Sequence, residues 1–91
     1  MDNEAVCSIV ERFLASKTLE IGVEVSLAGE ITEHPFGWGF YYQSKSYLEH
    51  GNFEDRLVGQ GANVILNDGR ILEGGSLQPT AEAVLDYYGI A

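Results

Sequence analysis

The chain opens on a helical pattern. Val6, Ile9, Val10 and Phe13 fall at i, i+3, i+4 and i+7, with Cys7 and Leu14 flanking the same stripe. This predicts an amphipathic helix over residues 3–16, capped by Asp2 or Asn3, with Glu4 in its first turn and Lys17 at the negative end of its dipole. Ser8, Glu11 and Arg12 then face water. From Ile21 the period changes to two: Ile21, Val23, Val25 and Leu27 alternate with Gly22, Glu24, Ser26 and Ala28, as in a strand with one buried face. The segment Glu30–Gly37, with its Pro35 and Gly37, is expected to turn the chain, so a hairpin is the economical reading. In the aromatic run that follows, Trp38, Phe40 and Tyr42 project to one side, toward the core, and Gly39, Tyr41 and Gln43 to the other.

Residues 44–61 keep neither period and read as a long ordered crossover with a helical turn, anchored by Tyr47, Leu48, Phe53 and Leu57. Val64–Leu66, Asn67-Asp68-Gly69-Arg70 and Ile71–Leu72 form the clearest local signal, because Asp-Gly supplies the positive φ angles of a tight hairpin. Gly74-Gly75-Ser76 ends the sheet, and Pro79 suits the first turn of a helix carrying Ala81, Val84, Leu85 and Tyr88 at helical spacing. The order α-β-β-crossover-β-β-α, without repeat or linker, predicts one α+β domain over residues 1–91. Its expected architecture is a small antiparallel four-stranded sheet with N- and C-terminal helices on one face. That arrangement would leave the face bearing Tyr41 open.

Composition narrows what such a domain does. With 45% hydrophobic residues, five Tyr, four Phe and one Trp in 91 residues, the chain has the material for a packed core rather than a disordered tail. Fourteen Asp and Glu against five Lys and Arg give a net charge of −9, a field that repels nucleic acid and anionic lipid and speeds encounters with cations. A basic protein is the natural partner class. One cysteine forms no intramolecular disulfide, as expected in a reducing compartment. The start Met1-Asp2-Asn3-Glu4 lacks a basic n-region, and no run reaches the ~18 apolar residues of a membrane span, so a complete, unexported cytoplasmic protein is expected.

The residues that could carry reactive chemistry have structural readings. Cys7 sits on the apolar stripe, where thiols usually pack, and His34 and His50 stand in expected turns without metal-ligand spacing. A small enzyme would need Cys7 joined to one of these histidines. Glu30 with Glu33, or Glu54 with Asp55, lack a pocket to tune them as acid and base. Gly59-Gln60-Gly61 lacks the downstream glycine of a phosphate cradle and reads as a turn, and Asp68-Gly69 lacks a calcium-loop ligand series. No catalytic set, metal or cofactor is assigned. Tyr41, on the side away from the core, is the aromatic best placed for an interface, where tyrosine is enriched.

Taken together, Gly37-Trp38 with Phe40 and Tyr42, Tyr47-Leu48-Glu49 with Gly51, Arg56-Leu57-Val58-Gly59, Asp68-Gly69, Gly75-Ser76, and Pro79 with Glu82, Leu85 and Tyr88 form an ordered pattern. Over residues 5–88 it resembles the YrhB-like immunity-protein family of bacterial polymorphic toxin systems. The resemblance implies a small cytoplasmic protein that binds a toxin in the producing cell and blocks it, the toxin being of papain-like peptidase or deamidase type. The matched positions are mostly scaffold. Partner binding is therefore assigned from charge: Glu24, Glu30, Glu33, Glu49, Glu54 and Asp55 would steer and pair with Lys or Arg, with Tyr41 adding buried area. The rival expectation, also attached to the YrhB name, is a holdase-like stress protein with many weak clients. Homodimerisation through an open sheet face or an edge strand stays in play.

Overall fold

The structure, a computed structural model, describes residues 1–90. The elements are α1 (Asn3–Ile21), β1 (Val25–His34), β2 (Gly37–Ser44), α2 (Lys45–His50), a 3-10 turn at Phe53–Asp55, β3 (Gln60–Leu66), β4 (Ile71–Gly75) and α3 (Ala81–Tyr87). The four strands form one antiparallel sheet in the order β1-β2-β3-β4, with helices at the N- and C-terminal ends of the chain, as the patterning predicts. Two compact units share the chain: Met1–Ala28 with Tyr42–Leu57, and Gly29–Tyr41 with Val58 onward.

In the first unit, α1 runs five residues beyond its expected end. Asp2 caps its start, accepting from the Ala5 N–H at 2.8 Å. Gly22 ends it with φ +81°, its N–H donating to the Thr18 carbonyl at 2.9 Å. Only glycine takes that left-handed position without cost, so the helix stops there rather than at Lys17. The apparent alternation from Ile21 is thus no strand: Ile21 and Val23 lie 40% and 42% exposed, and β1 begins at Val25. Lys17, expected at the helix end, lies a turn inside it and pairs with Glu20 at 3.2 Å. Only Val6 and Val10 of α1 are fully buried. The buried stripe is narrower than its pattern suggests, and Cys7, 100° round the helix from Val6, is exposed rather than packed.

The crossover contains α2, whose N-cap Ser44 accepts from the Tyr47 N–H at 3.2 Å and whose C-cap Gly51 has φ +71°. Gln43 ties the far end of the segment back: its Nε2 donates to the Leu57 carbonyl at 3.2 Å, and its Oε1 accepts from the Leu57 N–H at 2.6 Å. A polar stretch without periodicity is ordered by caps and a side-chain amide instead of a buried stripe.

In the second unit, Trp38 pairs with Ile65, Gly39 with Val64 and Phe40 with Asn63. Ala62, Val64, Leu66 and Leu72 then face Ala81, Val84 and Leu85 of α3, forming an apolar cluster with Phe36 and Ile90 at its margin. Trp38, Phe40, Asn63 and Ile65, on the opposite face, are buried as well. Trp38 and Phe40 are thus buried in this unit, as expected, and Tyr42 is buried in the first.

Three local expectations are corrected in this unit. The face bearing Gly39 and Tyr41 is not open, because α3 packs on it: a Cβ at Gly39 would touch the Ala81 methyl at 3.6 Å. Gln60 and Gly61 belong to β3 rather than to a turn, with an irregular register between Gln60 and Asn63. Gly61 is required there by close approach, since a Cβ would collide with the Gly75 and Gln78 carbonyl oxygens. Pro79 precedes the N-cap Thr80 and so lies outside α3; Thr80 accepts from the Ala83 N–H at 3.1 Å. In the β3–β4 turn Gly69 alone takes a positive φ, of +93°, while Asp68 accepts from the Arg70 N–H at 3.0 Å and from its guanidinium at 2.8 Å. The Arg70 backbone bond, with the guanidinium beside it, holds the Asp68 carboxyl below its ordinary range.

Candidate protein-binding surface

The carboxylates assigned to partner binding are exposed, but they do not form one cluster. In the first unit Glu24 precedes β1 and meets Lys45 Nζ at 3.4 Å, with its side chain still 65% exposed. Glu49 lies on α2, and Glu54 and Asp55 on the 3-10 turn, where Asp55 accepts from Ser46 Oγ at 2.8 Å. In the second unit Glu30 and Glu33 stand on β1 rather than in the expected turn, and their odd spacing places them on opposite faces of the strand. The two therefore do not act as one pincer.

Tyr41 remains 42% exposed while its hydroxyl donates to the Pro79 carbonyl at 2.7 Å. Its ring edges a small recess of about 210 Å³ that is shared with Thr32, His34, Thr80, Ala81 and Glu82. Within it His34 Nε2 lies 2.8 Å from Thr32 Oγ1, and the imidazole stacks on Phe36 with ring centres 4.7 Å apart. Thr32 Oγ1 also donates to the Gly39 carbonyl at 3.3 Å. His34 is thus a strand residue with a structural contact rather than a loop histidine. His50 occupies the last turn of α2, a favourable end of the dipole for an imidazole.

A larger concavity than this recess lies elsewhere, within the first unit. A groove of about 590 Å³ runs between the last three turns of α1 and the start of β1. Leu14, Ala15 and Leu19 line it from the helix and Val25, Ser26 and Leu27 from the strand, with Glu11 and Glu24 at its walls. Leu19 is 86% exposed. The sequence pattern hides this groove, because ending the helix at residue 16 removes Thr18 and Leu19 from it. The signal that could have revealed it is the continuation Glu11, Leu14, Ala15, Thr18, Leu19 at helical spacing, followed by Gly22 as a stop.

The chain's own cations leave most of this acidity uncovered. Lys17 and Lys45 pair with Glu20 and Glu24, Arg70 pairs with Asp68, Arg12 turns to the Ser8 carbonyl, and Arg56 lies over the Phe53 ring. Glu11, Glu30, Glu33, Glu49 and Glu54 have no ion pair among the described residues. Nor, among them, do three or more His, Cys, Asp or Glu side chains gather as metal ligands would. Among the described residues, no helix is long and apolar enough to cross a membrane.

No family model, no curated protein and no solved structure matches the chain.

Proposed function

We propose that this protein acts by stoichiometric binding of a basic protein, neutralising it as a bacterial immunity protein neutralises its toxin in the cytoplasm of the producing cell. The observation that carries the reading is the unbalanced surface charge. Fourteen carboxylates face five cations, and the cations are engaged within the chain. Such a field captures a cationic surface quickly, and affinity then depends on what is buried at the contact. Glu24, Glu30, Glu33, Glu49, Glu54, Asp55 and Tyr41 are all exposed, and therefore reachable. On the resemblance to YrhB-like immunity proteins, the partner would be a toxin of papain-like peptidase or deamidase type.

The test is co-expression. A basic protein recovered with the tagged chain from its own host should arrest growth when expressed alone and lose that effect when the two are made together. A scattered set of heat-released clients, with no single toxic partner, would contradict neutralisation and favour a holdase, whose contacts would be the scattered exposed side chains Phe53, Val58 and Leu77.

A further inference from the structure

We infer that the outer edge of β1, with the groove it forms against α1, receives an extended basic segment of the partner as an added strand. This rests on the protein-binding reading above and supplies its surface and its mode. Because β1 stands at one end of the sheet, one of its edges has no neighbouring strand. The hydrogen bonds show which backbone groups lie on that edge. The Glu24 carbonyl accepts from the N–H of Lys45, the residue that follows β2, at 3.0 Å, so it points to the β2 side. In a trans peptide the next N–H points the opposite way. The Val25 N–H does so, donating to Thr18 Oγ1 of α1 at 3.1 Å. Alternation along an extended backbone then turns the Ser26 groups toward β2, and the Val25 carbonyl and both Leu27 groups outward.

The groove has the shape this requires. Successive strand residues send their side chains to opposite faces, and Val25, Ser26 and Leu27 all line this concavity, the lining that a groove along the strand's edge has. Leu14, Ala15 and Leu19 offer apolar contact on the facing wall, and Glu11 and Glu24 flank it. Glu11 has no ion pair among the described residues. A second copy of the chain would bring a charge of −9 against −9. A segment alternating apolar with Lys or Arg side chains instead sets apolar groups on the leucines and cations toward Glu11 and toward Glu24, whose side chain stays 65% exposed beside Lys45, while its backbone pairs with Leu27.

The test uses the full chain and a short end-blocked peptide of alternating lysine and valine, followed by nuclear magnetic resonance and amide exchange. Binding should slow exchange of the Leu27 amide and shift resonances of residues 14–27. Methylating the peptide nitrogens along one edge should weaken binding roughly tenfold, the effect of losing one or two hydrogen bonds. Ala15→Arg, which fills the groove from an exposed helix position, should weaken it comparably without lowering the melting temperature. Equal binding of both peptides, or shifts confined to Glu30, Glu33, Glu49 and Glu54, would overturn the inference and leave only diffuse attraction. So would a dimer of the free chain that Ala15→Arg dissolves, since the occupant would then be a second copy. If the peptide fails while the chain still captures a toxic partner, the groove is wrong and the neutralising reading stands. If no protein is captured, that reading fails with it.

Discussion

At the scale of single residues, the structure separates side chains that a pattern treats alike. Gly61 and Gly29 are both strand glycines, yet a methyl at Gly61 meets two backbone carbonyls whereas one at Gly29 meets open space. Gly61→Ala should therefore destabilise the fold by roughly 3 kcal/mol in urea unfolding, since neither carbonyl can move without shifting its strand or turn. Phe40 and Phe53 differ in the same way, one fully buried and the other 75% exposed. Phe40→Ala should cost about 4 kcal/mol and Phe53→Ala less than about 1 kcal/mol. Cys7 is exposed, so a thiol reagent should modify it in the folded protein at one equivalent per chain. Cys7→Ala should change stability by no more than about 0.5 kcal/mol. Protection of Cys7 from the reagent until the protein unfolds would contradict the orientation of α1.

At the scale of elements, stops and caps decide what periodicity leaves undetermined. Thr80 caps a seven-residue helix too short to hold by itself, so Thr80→Ala should cost about 1 kcal/mol by thermal unfolding. The β3–β4 turn carries the pH-sensitive contact. Asp68 titrates below its ordinary value in the folded chain, so its bonds to Arg70 support the turn above about pH 4 and fade as pH falls through the depressed pKa. Asp68→Asn should reduce the steepness of stability loss in that acidic window and leave the neutral range nearly flat. The hairpins of the sheet and the C-terminal helix were legible because Trp38-Phe40-Tyr42, Asp68-Gly69 and Ala81-Val84-Leu85 each signal one structure. The end of α1 was not legible from alternation alone. Ile21, Val23, Val25 and Leu27 alternate as a strand does, and only the left-handed Gly22 assigns the first of them to the helix. That one boundary also concealed the groove, because its helical wall extends to Leu19.

At the scale of the whole molecule, charge is the property that sequence conveys most directly, and placement is what it cannot convey. The glutamates at 30 and 33 read as a pair in sequence and stand on opposite faces of β1. Charge reversal at both should slow association with a basic partner at low salt, each site acting separately, and the loss should shrink as salt screens the field. In the neutralising reading, this acidity serves one partner. Its most direct test is the composition and stoichiometry of the complexes that the tagged chain forms in its own host, measured at low and at moderate salt. One dominant basic protein at a fixed ratio, held less tightly as salt rises, is the expected result. A broad mixture of clients without fixed ratio, or no protein partner at either salt, would contradict it.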